Sequence, residues 1–177
     1  MRAVAAGDAA GLYAAIADNR EHLARWLWWA GGQTLSDTRL FIAGARRQME
    51  AGEGLQAAVF VRGALVGMVG FAQVLRTHRS ASVGYWLSES AQGQGTMTRA
   101  VAALVEHAFS GWRLNRVEIR AAVENGRSRA IPRRLGFREE GVLRQAEVVG
   151  DRPLDLVVYG MLAAEWSGRQ PSSVSPA

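Results

Sequence analysis

The sequence predicts a single mixed α/β domain whose sheet is mostly antiparallel and contains one central pair of parallel strands. Three observations lead to this fold class: helices come first, hairpin-connected strands follow, and strands then alternate with helices before a final hairpin. A crossover through the longest helix of the second half makes the strands on either side of it parallel neighbours. At 177 residues the chain has the length of one domain. We expect that domain to span residues 1–166, followed by a disordered Ser- and Pro-rich tail over 167–177.

Three amphipathic helical segments are predicted before the first hairpin. Asp8 is placed to cap the first of them, and Ser36 or Asp37 is placed to cap the third. Because the first helix begins so close to Met1, there is room for only a stub of a strand before it, which leaves a start upstream of Met1 open. The predicted helices span 9–19, 21–29 and 38–51.

Runs of apolar and β-branched residues bounded by turn residues predict the strands. Arg62-Gly63 and Gly150-Asp151 are placed to turn two hairpins, and a glycine-rich turn leads from the third strand into a helix. The predicted strands span 55–61, 64–74, 81–87, 117–123, 142–149 and 154–161, and helices over 96–109 and 128–135 lie on either side of the fourth.

The basic residues are all Arg, and the chain contains neither Lys nor Cys. Without Lys there is no P-loop of the form GxxxxGKS/T, and without Cys there are no disulfides, thiolate metal sites or cysteine nucleophiles. No metal site is predicted. No apolar run reaches the ~20 residues that span a bilayer, and the N-terminus lacks the apolar core of a signal peptide, so we expect a soluble cytoplasmic protein without membrane contact.

The formal net charge is +5, and the excess of Arg is concentrated in residues 113–152. Acidic residues are interleaved with Arg there, unlike in a basic tail that coats DNA. An Arg-rich nucleic-acid-binding module is the alternative from a different functional class, and it predicts a steep salt dependence of binding. The sequence contains no recognised binding motif, so specific nucleic-acid recognition is not predicted.

The segment that carries chemistry is a glycine-rich turn, Gln92-Gly93-Gln94-Gly95, between a predicted strand and a predicted helix. Glycine allows the backbone to approach a ligand closely, and the free N–H groups at a helix start attract anions. A dinucleotide-binding GxGxxG turn would need a third glycine near Thr98, which is absent. The turn therefore predicts a main-chain cradle for a pyrophosphate, with an ordinary tight turn as the alternative.

Gln92, Gly95 and Met97, spaced as Q-x-x-G-x-M after a strand, resemble the acetyl-CoA loop of GNAT-family N-acetyltransferases. The family pattern ends in Gly or Ala, and the departure at Met97 is common in the branch of ribosomal-protein-serine acetyltransferases and their relatives. Further segments resemble this branch in the same order, so the resemblance covers about residues 3–166. These segments are GYWL (84–87), QGQGTMTRAV (92–101), LNRVEIR (114–120), NGRSRAIPRRLGF (125–137), EGVLRQAE (140–147) and VVYG (157–160).

The resemblance implies the GNAT fold, a twisted sheet of about six to seven strands whose central parallel pair is splayed around acetyl-CoA and flanked by helices. The pantetheine arm of this co-substrate would lie between those strands and pair with the main chain of Tyr85, Trp86 and Leu87, and Asn125 would contact the same arm. Loop amides would hold the pyrophosphate, and part of the Arg charge in 113–152 would serve the phosphates. The loop residues implied in cofactor binding are Gln92, Gly93, Gln94, Gly95, Thr96, Met97 and Thr98.

Acetyl transfer to an amine needs a base for the amine, donors for the oxyanion and a proton or dipole for the thiolate. Because the chain has no Cys, we expect the amine to attack bound acetyl-CoA directly in a ternary complex. The resemblance implies Ser128 as the general acid, since Pro132 replaces the tyrosine that many family members use; a helix cap is the alternative role of Ser128. It implies Glu147 as the base, acting through water, and the alternative is a surface residue paired with Arg.

The acceptor that the resemblance implies is a primary amine, foremost the N-terminal α-amine of a ribosomal protein or peptide. An acidic ribosomal protein would suit the positive charge of the chain. The alternative acceptor is a small-molecule amine such as a polyamine, an amino acid derivative or an antibiotic. Trp29 and Glu147 are implied as substrate contacts, although core packing also explains the cluster of Trp26, Trp28 and Trp29.

Dimers occur in this branch, which implies a homodimer, and an exposed C-terminal strand would offer a pairing edge. His22, His78 and His107 have the chemistry of a base, but His78 and His107 match no motif, and the histidines are interpreted as structural.

Overall fold

One mixed sheet organises the molecule, and the computed structural model describes residues 1–167 of the chain. The strands are β1 (Arg2–Ala3), β2 (Gln56–Val61), β3 (Ala64–Leu75), β4 (Ser80–Leu87), β5 (Arg116–Ala122), β6 (Arg138–Val149) and β7 (Arg152–Leu162). Their order across the sheet is β1-β2-β3-β4-β5-β7-β6. The pair β4 and β5 is parallel, and the other neighbours are antiparallel. The predicted fold class, including the stub of a first strand, is confirmed.

Helices cover both faces of this sheet, which is why it has two core layers. Alternate residues of the central strands point to opposite faces: Val59 and Phe71 pack into the core under the helices of the second half, whereas Ala58 and Met68 pack against those of the first half. The helices are α1 (Ala9–Asp18), α2 (Arg20–Leu23), α3 (Leu35–Glu50), α4 (Thr96–Glu106), α5 (Gly126–Arg134) and α6 (Ala163–Ser167), and a π-helical turn, His107–Gly111, continues α4. The tail predicted over 167–177 lies outside the described residues, apart from Ser167.

The helix predicted over 21–29 is wrong beyond Leu23, where α2 ends and a series of turns begins. Beyond Leu23 the chain folds back toward Arg20, whose guanidinium donates hydrogen bonds to the carbonyl oxygens of Ala30, Gly31 and Gln33 at 2.9, 2.6 and 2.9 Å. These three hydrogen bonds hold the end of the loop against the start of α2. The Trp-rich segment is therefore a loop and not a helix.

The predicted caps of α1 and α3 are also corrected. The N-cap of α3 is Thr34, whose Oγ1 accepts from the N–H of Asp37 at 3.1 Å, while the Asp37 carboxylate accepts from the N–H of Thr34 at 3.0 Å. Asp37 is thus the reciprocal partner of a capping box. Asp8 does not cap α1 through its side chain; its carboxylate accepts two hydrogen bonds from Arg2 at 2.7 and 2.6 Å, which lower its pKa.

A cleft opens in the sheet where the parallel pairing of β4 and β5 stops. The ladder runs from Ser80 opposite Arg116 to Val83 opposite Ile119, although β4 continues through residues 84–87 and β5 through residues 120–122. On its outer side β4 pairs with β3, where a bulge at Ala72 shifts the register opposite Ser82 and Val83. A bulge increases local twist, and this one lies at the level where β4 and β5 separate.

Replacing Arg20 by Met should destabilise the fold, because three loop carbonyls lose a charged donor at once. We expect the free energy of unfolding to fall by about 2 kcal/mol, measured by urea denaturation. Arg25→Met is the control: within residues 1–167 the Arg25 side chain pairs with exposed Glu21 alone, and such surface pairs contribute little. Equal losses in the two variants would contradict a structural role for Arg20.

Candidate active site

A cleft of about 1270 Å³ opens between the separated ends of β4 and β5. Its walls come from the loop after α2, the ends of β4 and β5, the glycine-rich turn with the start of α4, the first turns of α5, and Glu147 of β6. Pairing with β5 has ended along residues 84–87, so this edge of β4 borders the cleft. An extended ligand with its own amide groups can pair with such an edge as an added strand does.

The glycine-rich turn forms one end of the cleft and shows the geometry of an anion cradle. Gly93 and Gly95 have φ angles of +78° and +70°, in the left-handed region that favours glycine. The first helical hydrogen bond of α4 is donated by the N–H of Arg99 to the carbonyl of Gly95 at 3.0 Å. The preceding N–H groups, those of Thr96, Met97 and Thr98, are therefore left for another acceptor.

Two loop residues have roles that the motif did not predict. The side chain of Met97 is buried in the core, 4% exposed, so the departure from the family pattern at this position serves packing. Gln94 does not appear among the residues that line the cleft, and its carbonyl oxygen accepts a hydrogen bond from Arg99 Nη1 at 3.2 Å.

Gln92 joins three elements around the mouth of the cleft. Its Oε1 accepts from Arg127 Nη1 of α5 at 2.8 Å, and its Nε2 contacts the carbonyl of Leu87 at 3.3 Å and Nε2 of His22 at 2.9 Å. Since the Gln92 amide nitrogen donates, the His22 nitrogen accepts. Sequence reasoning missed His22 and Arg127, because no local pattern relates residues so far apart in the chain.

Tyr85 and Ser128 form a hydrogen-bonded pair inside the cleft. The Tyr85 hydroxyl donates to the Ser128 carbonyl at 3.0 Å and accepts from Ser128 Oγ at 3.2 Å. Burial raises the pKa of Tyr85 to about 12, so its hydroxyl stays protonated at neutral pH. The prediction for Tyr85 concerned its main chain only; its side-chain contact with Ser128 is visible only in the tertiary structure.

Asn125 caps α5, and this removes the alternative interpretation of Ser128 as the helix cap. Asn125 Oδ1 accepts from the N–H of Ser128 at 3.1 Å. The Ser128 hydroxyl is thereby left out of the cap and lies in the cleft beside Tyr85. Pro132, at the position of the usual tyrosine acid, is buried inside α5 and carries no proton donor.

Glu147 enters the cleft from β6 and lies beside a small apolar cluster. The cluster consists of Ala122, Val149, Leu154 and Leu156 with Trp26 packed against it. Burial raises the pKa of the Glu147 carboxyl above its usual value. Within residues 1–167 no hydrogen bond or ion pair holds its carboxylate, so the alternative pairing with Arg is wrong for this part of the chain.

The Trp-rich loop contributes a different tryptophan from the predicted one. Trp29 packs edge-on against Trp86, with ring centroids 6.5 Å apart, on the α1 and α3 side of the sheet. Trp26 and Leu27 line the cleft instead. The extent of α2 decides this, because the chain turns at Leu23 and rotates the later residues away from helical positions.

The charges at the cleft are mixed. Arg25, Arg120, Arg127 and Arg134 line it together with Glu89, Glu124 and Glu147. Part of the remaining Arg charge in 113–152 is neutralised locally, because Arg116 contacts Glu118 and Glu140 while Arg129 and Arg133 contact Glu139. Among the described residues there is no group of three or more side chains suited to hold a metal, and no helix of residues 1–167 is long and apolar enough to cross a bilayer.

A cleft between separated parallel strands beside a glycine-rich helix start is the arrangement that the acyl-group transferase motifs predicted, and comparison with known families identifies that class. The model of the acetyltransferase (GNAT) domain matches residues 1–138 of the chain. The chain belongs to the GNAT family of N-acetyltransferases. The enzyme class and the fold that its motifs imply are therefore confirmed.

Comparison with individual proteins indicates the branch of the GNAT family to which the chain is most similar. The chain is 38% identical to YdaF of Bacillus subtilis (strain 168) over 165 residues, covering 92% of this chain and 90% of YdaF. It is 32% identical to the ribosomal-protein-serine acetyltransferase of Escherichia coli (strain K12) over 163 residues, covering 92% and 91%. It is also similar to the structure of RimL, a ribosomal L7/L12 α-N-protein acetyltransferase in complex with coenzyme A, with a TM-score of 0.88, 27% identity and 93% of each chain covered. The branch predicted from Met97 and the other motifs is confirmed.

Gly95→Val should weaken binding of acetyl-CoA at least tenfold, because a β-branched residue disfavours the left-handed φ that presents the N–H groups of α4. Isothermal titration calorimetry measures this affinity. Gly63→Val is the matched control, since Gly63 has a φ of +83° in the hairpin between β2 and β3 and open space around it. Both variants carry the same kind of backbone strain and should lose similar thermal stability. Equal loss of affinity in both would contradict the cradle.

Proposed function

We propose that the protein transfers the acetyl group of acetyl-CoA to the N-terminal α-amine of a ribosomal protein, by direct attack in a ternary complex. The observation that carries this proposal is the placement of Glu147 and Ser128 in one cleft with the free N–H groups of α4. The names of the relatives supply the acceptor class: one acts on ribosomal-protein serine and one on ribosomal L7/L12. We further propose that residues 1–166 form a single acetyltransferase domain and that, with ribosomal substrates, the enzyme acts in the cytoplasm.

The cleft has the features needed to bind acetyl-CoA, which supplies the acetyl group as a thioester. The N–H groups of Thr96, Met97 and Thr98 suit a pyrophosphate, because they combine free donors with the positive end of the helix dipole. Arg127 and Arg134 add permanent positive charge on the α5 wall. The open edge of β4 suits the amides of the pantetheine arm, with Asn125 on the opposite wall.

The base in this proposal is Glu147, acting directly or through one water. An attacking amine must lose a proton as its nitrogen bonds to the acetyl carbon, and the raised pKa makes the Glu147 carboxylate a better proton acceptor. The apolar cluster beneath it provides the physical cause of that shift. With no Arg paired to it in the described chain, the carboxylate is free to orient a positively charged amine.

The acid in this proposal is Ser128. When the carbon–sulfur bond breaks, the thiolate needs a proton or a hydrogen-bond donor, and the Ser128 hydroxyl lies in the cleft with Asn125 holding the turn that presents it. In the structure this hydroxyl donates to Tyr85, so it must rotate toward the sulfur during the reaction. Tyr85 stays protonated throughout because its pKa is about 12.

The acceptor in this proposal is a peptide rather than a free small amine. The +5 charge of the chain suits an acidic protein, and Trp26 offers an apolar contact near Glu147. A contact of Trp29 with the substrate stays a prediction, as does homodimerisation. The edge strand β6 is available for strand pairing, and it exposes Val142, Leu143 and Val148.

Glu147→Gln should lower kcat by roughly 100-fold or more at neutral pH with little change in the KM for acetyl-CoA, because general base catalysis is lost and cofactor contacts remain. Wild-type kcat should fall as pH drops through the raised pKa of Glu147, since the protonated carboxyl cannot accept a proton, and E147Q should lack this acid limb. A thiol-release assay measures both. Glu124→Gln changes a second carboxylate in the cleft and should cost far less; equal losses would contradict the assignment.

Ser128→Ala should lower kcat as well, with unchanged stability, because Asn125 and not Ser128 caps α5. The same thiol-release assay, together with thermal unfolding, measures this. A loss of stability without a loss of kcat would mean that Ser128 is structural.

A peptide that begins with Ser followed by acidic residues should gain one acetyl group, detected by intact mass, while the same peptide with a blocked N-terminus should gain none. Polyamines, amino acid derivatives and amine antibiotics are tested in parallel at equal concentration. Efficient transfer to one of these and none to any peptide or protein N-terminus would overturn the proposed acceptor and leave the acetyltransferase activity intact.

A further inference from the structure

The ladder between β6 and β7 is interrupted immediately before Glu147. Leu143 pairs with Leu156 and Glu147 with Leu154, so that Arg144, Gln145 and Ala146 together face Asp155 alone. This is a bulge with two extra residues in β6. Bulges are found next to active sites, where they redirect a side chain.

The bulge decides where Glu147 stands along the cleft. In a regular ladder that starts from Leu143 opposite Leu156, the residue opposite Leu154 would be Gln145. Glu147 would then lie opposite Arg152, ~7 Å further along the strand toward the hairpin turn. Opposed residues point to the same face of a sheet, so the bulge keeps Glu147 on the face of Leu156, which lines the cleft.

Gln145 is the strained residue of this bulge. Its φ is +49°, in the left-handed region that non-glycine residues rarely adopt. Such a conformation persists where surrounding contacts hold it. The contact here is a hydrogen bond from the N–H of Gln145 to Asp155 Oδ1 at 2.8 Å, so a side chain replaces the carbonyl that would accept this N–H in a regular ladder.

The main chain of Asp155 is hydrogen-bonded to the end of β5, one of the two strands that border the cleft. Its carbonyl oxygen accepts from the N–H of Val123, directly after β5, at 2.9 Å. Its neighbours Leu154 and Leu156 are buried in the apolar cluster beneath Glu147, whereas the Asp155 side chain is exposed and does not line the cleft. Asp155 therefore connects the end of β5 to the bulge without reaching the reacting groups.

We propose that Asp155 is a positioning residue for the reaction: by accepting the Gln145 N–H it holds the β6 bulge that places the Glu147 carboxylate in the cleft. This inference rests on the proposed function, in which Glu147 is the base. It assigns Asp155 no contact with acetyl-CoA or with the acceptor.

Asp155→Ala removes the acceptor of the Gln145 N–H, and kcat should fall at least ~10-fold and up to about 100-fold, as expected for a misplaced catalytic group. The KM and affinity for acetyl-CoA should stay within about twofold, because the cradle at α4 is remote from the bulge. Asp155→Asn keeps a carbonyl oxygen at the same position and should restore most of kcat. Asp151→Ala, which removes another exposed carboxylate of the same hairpin, is the control and should behave as the wild type.

A double-mutant cycle separates positioning from general destabilisation. If Asp155 acts through Glu147, Asp155→Ala should cost nothing further in an E147Q background. Gln145 variants give an independent measurement should D155A fold poorly: Gln145→Gly tolerates the left-handed φ and should remain active, whereas Gln145→Val should reproduce the defect of D155A.

The experiments distinguish a failure of the proposed function from a failure of the Asp155 inference. Wild-type kcat in E147Q would overturn the proposed base and with it this inference. If E147Q is impaired, three results would overturn the inference alone. They are a fully active D155A, additive losses of activity in the double variant, and no rescue of activity by D155N.

Discussion

The end of the hydrogen-bond ladder between β4 and β5 is the constraint on which the rest of the site depends. Beyond Val83 and Ile119 each strand is held only from outside, β4 by β3 and β5 by β7. The inner edges carry main-chain donors and acceptors that must be satisfied by water or by a ligand. A cleft with polar edges and buried sides follows directly, and every residue assigned to the chemistry lies along it.

Side-chain hydrogen bonds between distant segments keep this cleft in shape. Gln92 joins the end of α2, the end of β4 and the start of α5, and Tyr85 ties β4 to the backbone of Ser128. On the opposite wall, Asp155 connects the end of β5 to the bulge of β6. The Gln92 and Tyr85 contacts span the opening that the missing strand pairing creates, and the Asp155 contacts hold one wall together, so the walls do not depend on the ligand alone for their spacing.

Local pattern predicted most strands and helices, although it missed the residues that cap α3 and α5. The glycine-rich turn, the start of α4 and the two hairpins follow from turn residues and from runs of one periodicity. The helix predicted over 21–29 ends at Leu23, and the loop that follows is held by Arg20 through three carbonyls further along the chain, an interaction that no helical periodicity reveals. The same loop explains why Trp26 rather than Trp29 lines the cleft.

The sequence by itself determined the family and the fold class, because its motifs fix residue type and spacing within short segments, and it supplied the main-chain cradle, Ser128 and Glu147 as predictions about the site. Only the tertiary structure decided that Asn125 rather than Ser128 caps α5, that Tyr85 contacts the Ser128 hydroxyl, and that a bulge held by Asp155 brings Glu147 to the cleft. The cap lies within one short segment that offers two candidate residues, and only the folded turn shows which of them accepts the hydrogen bond. The Tyr85 contact and the β6 bulge join residues far apart in the chain, and motifs confined to short segments do not relate such residues.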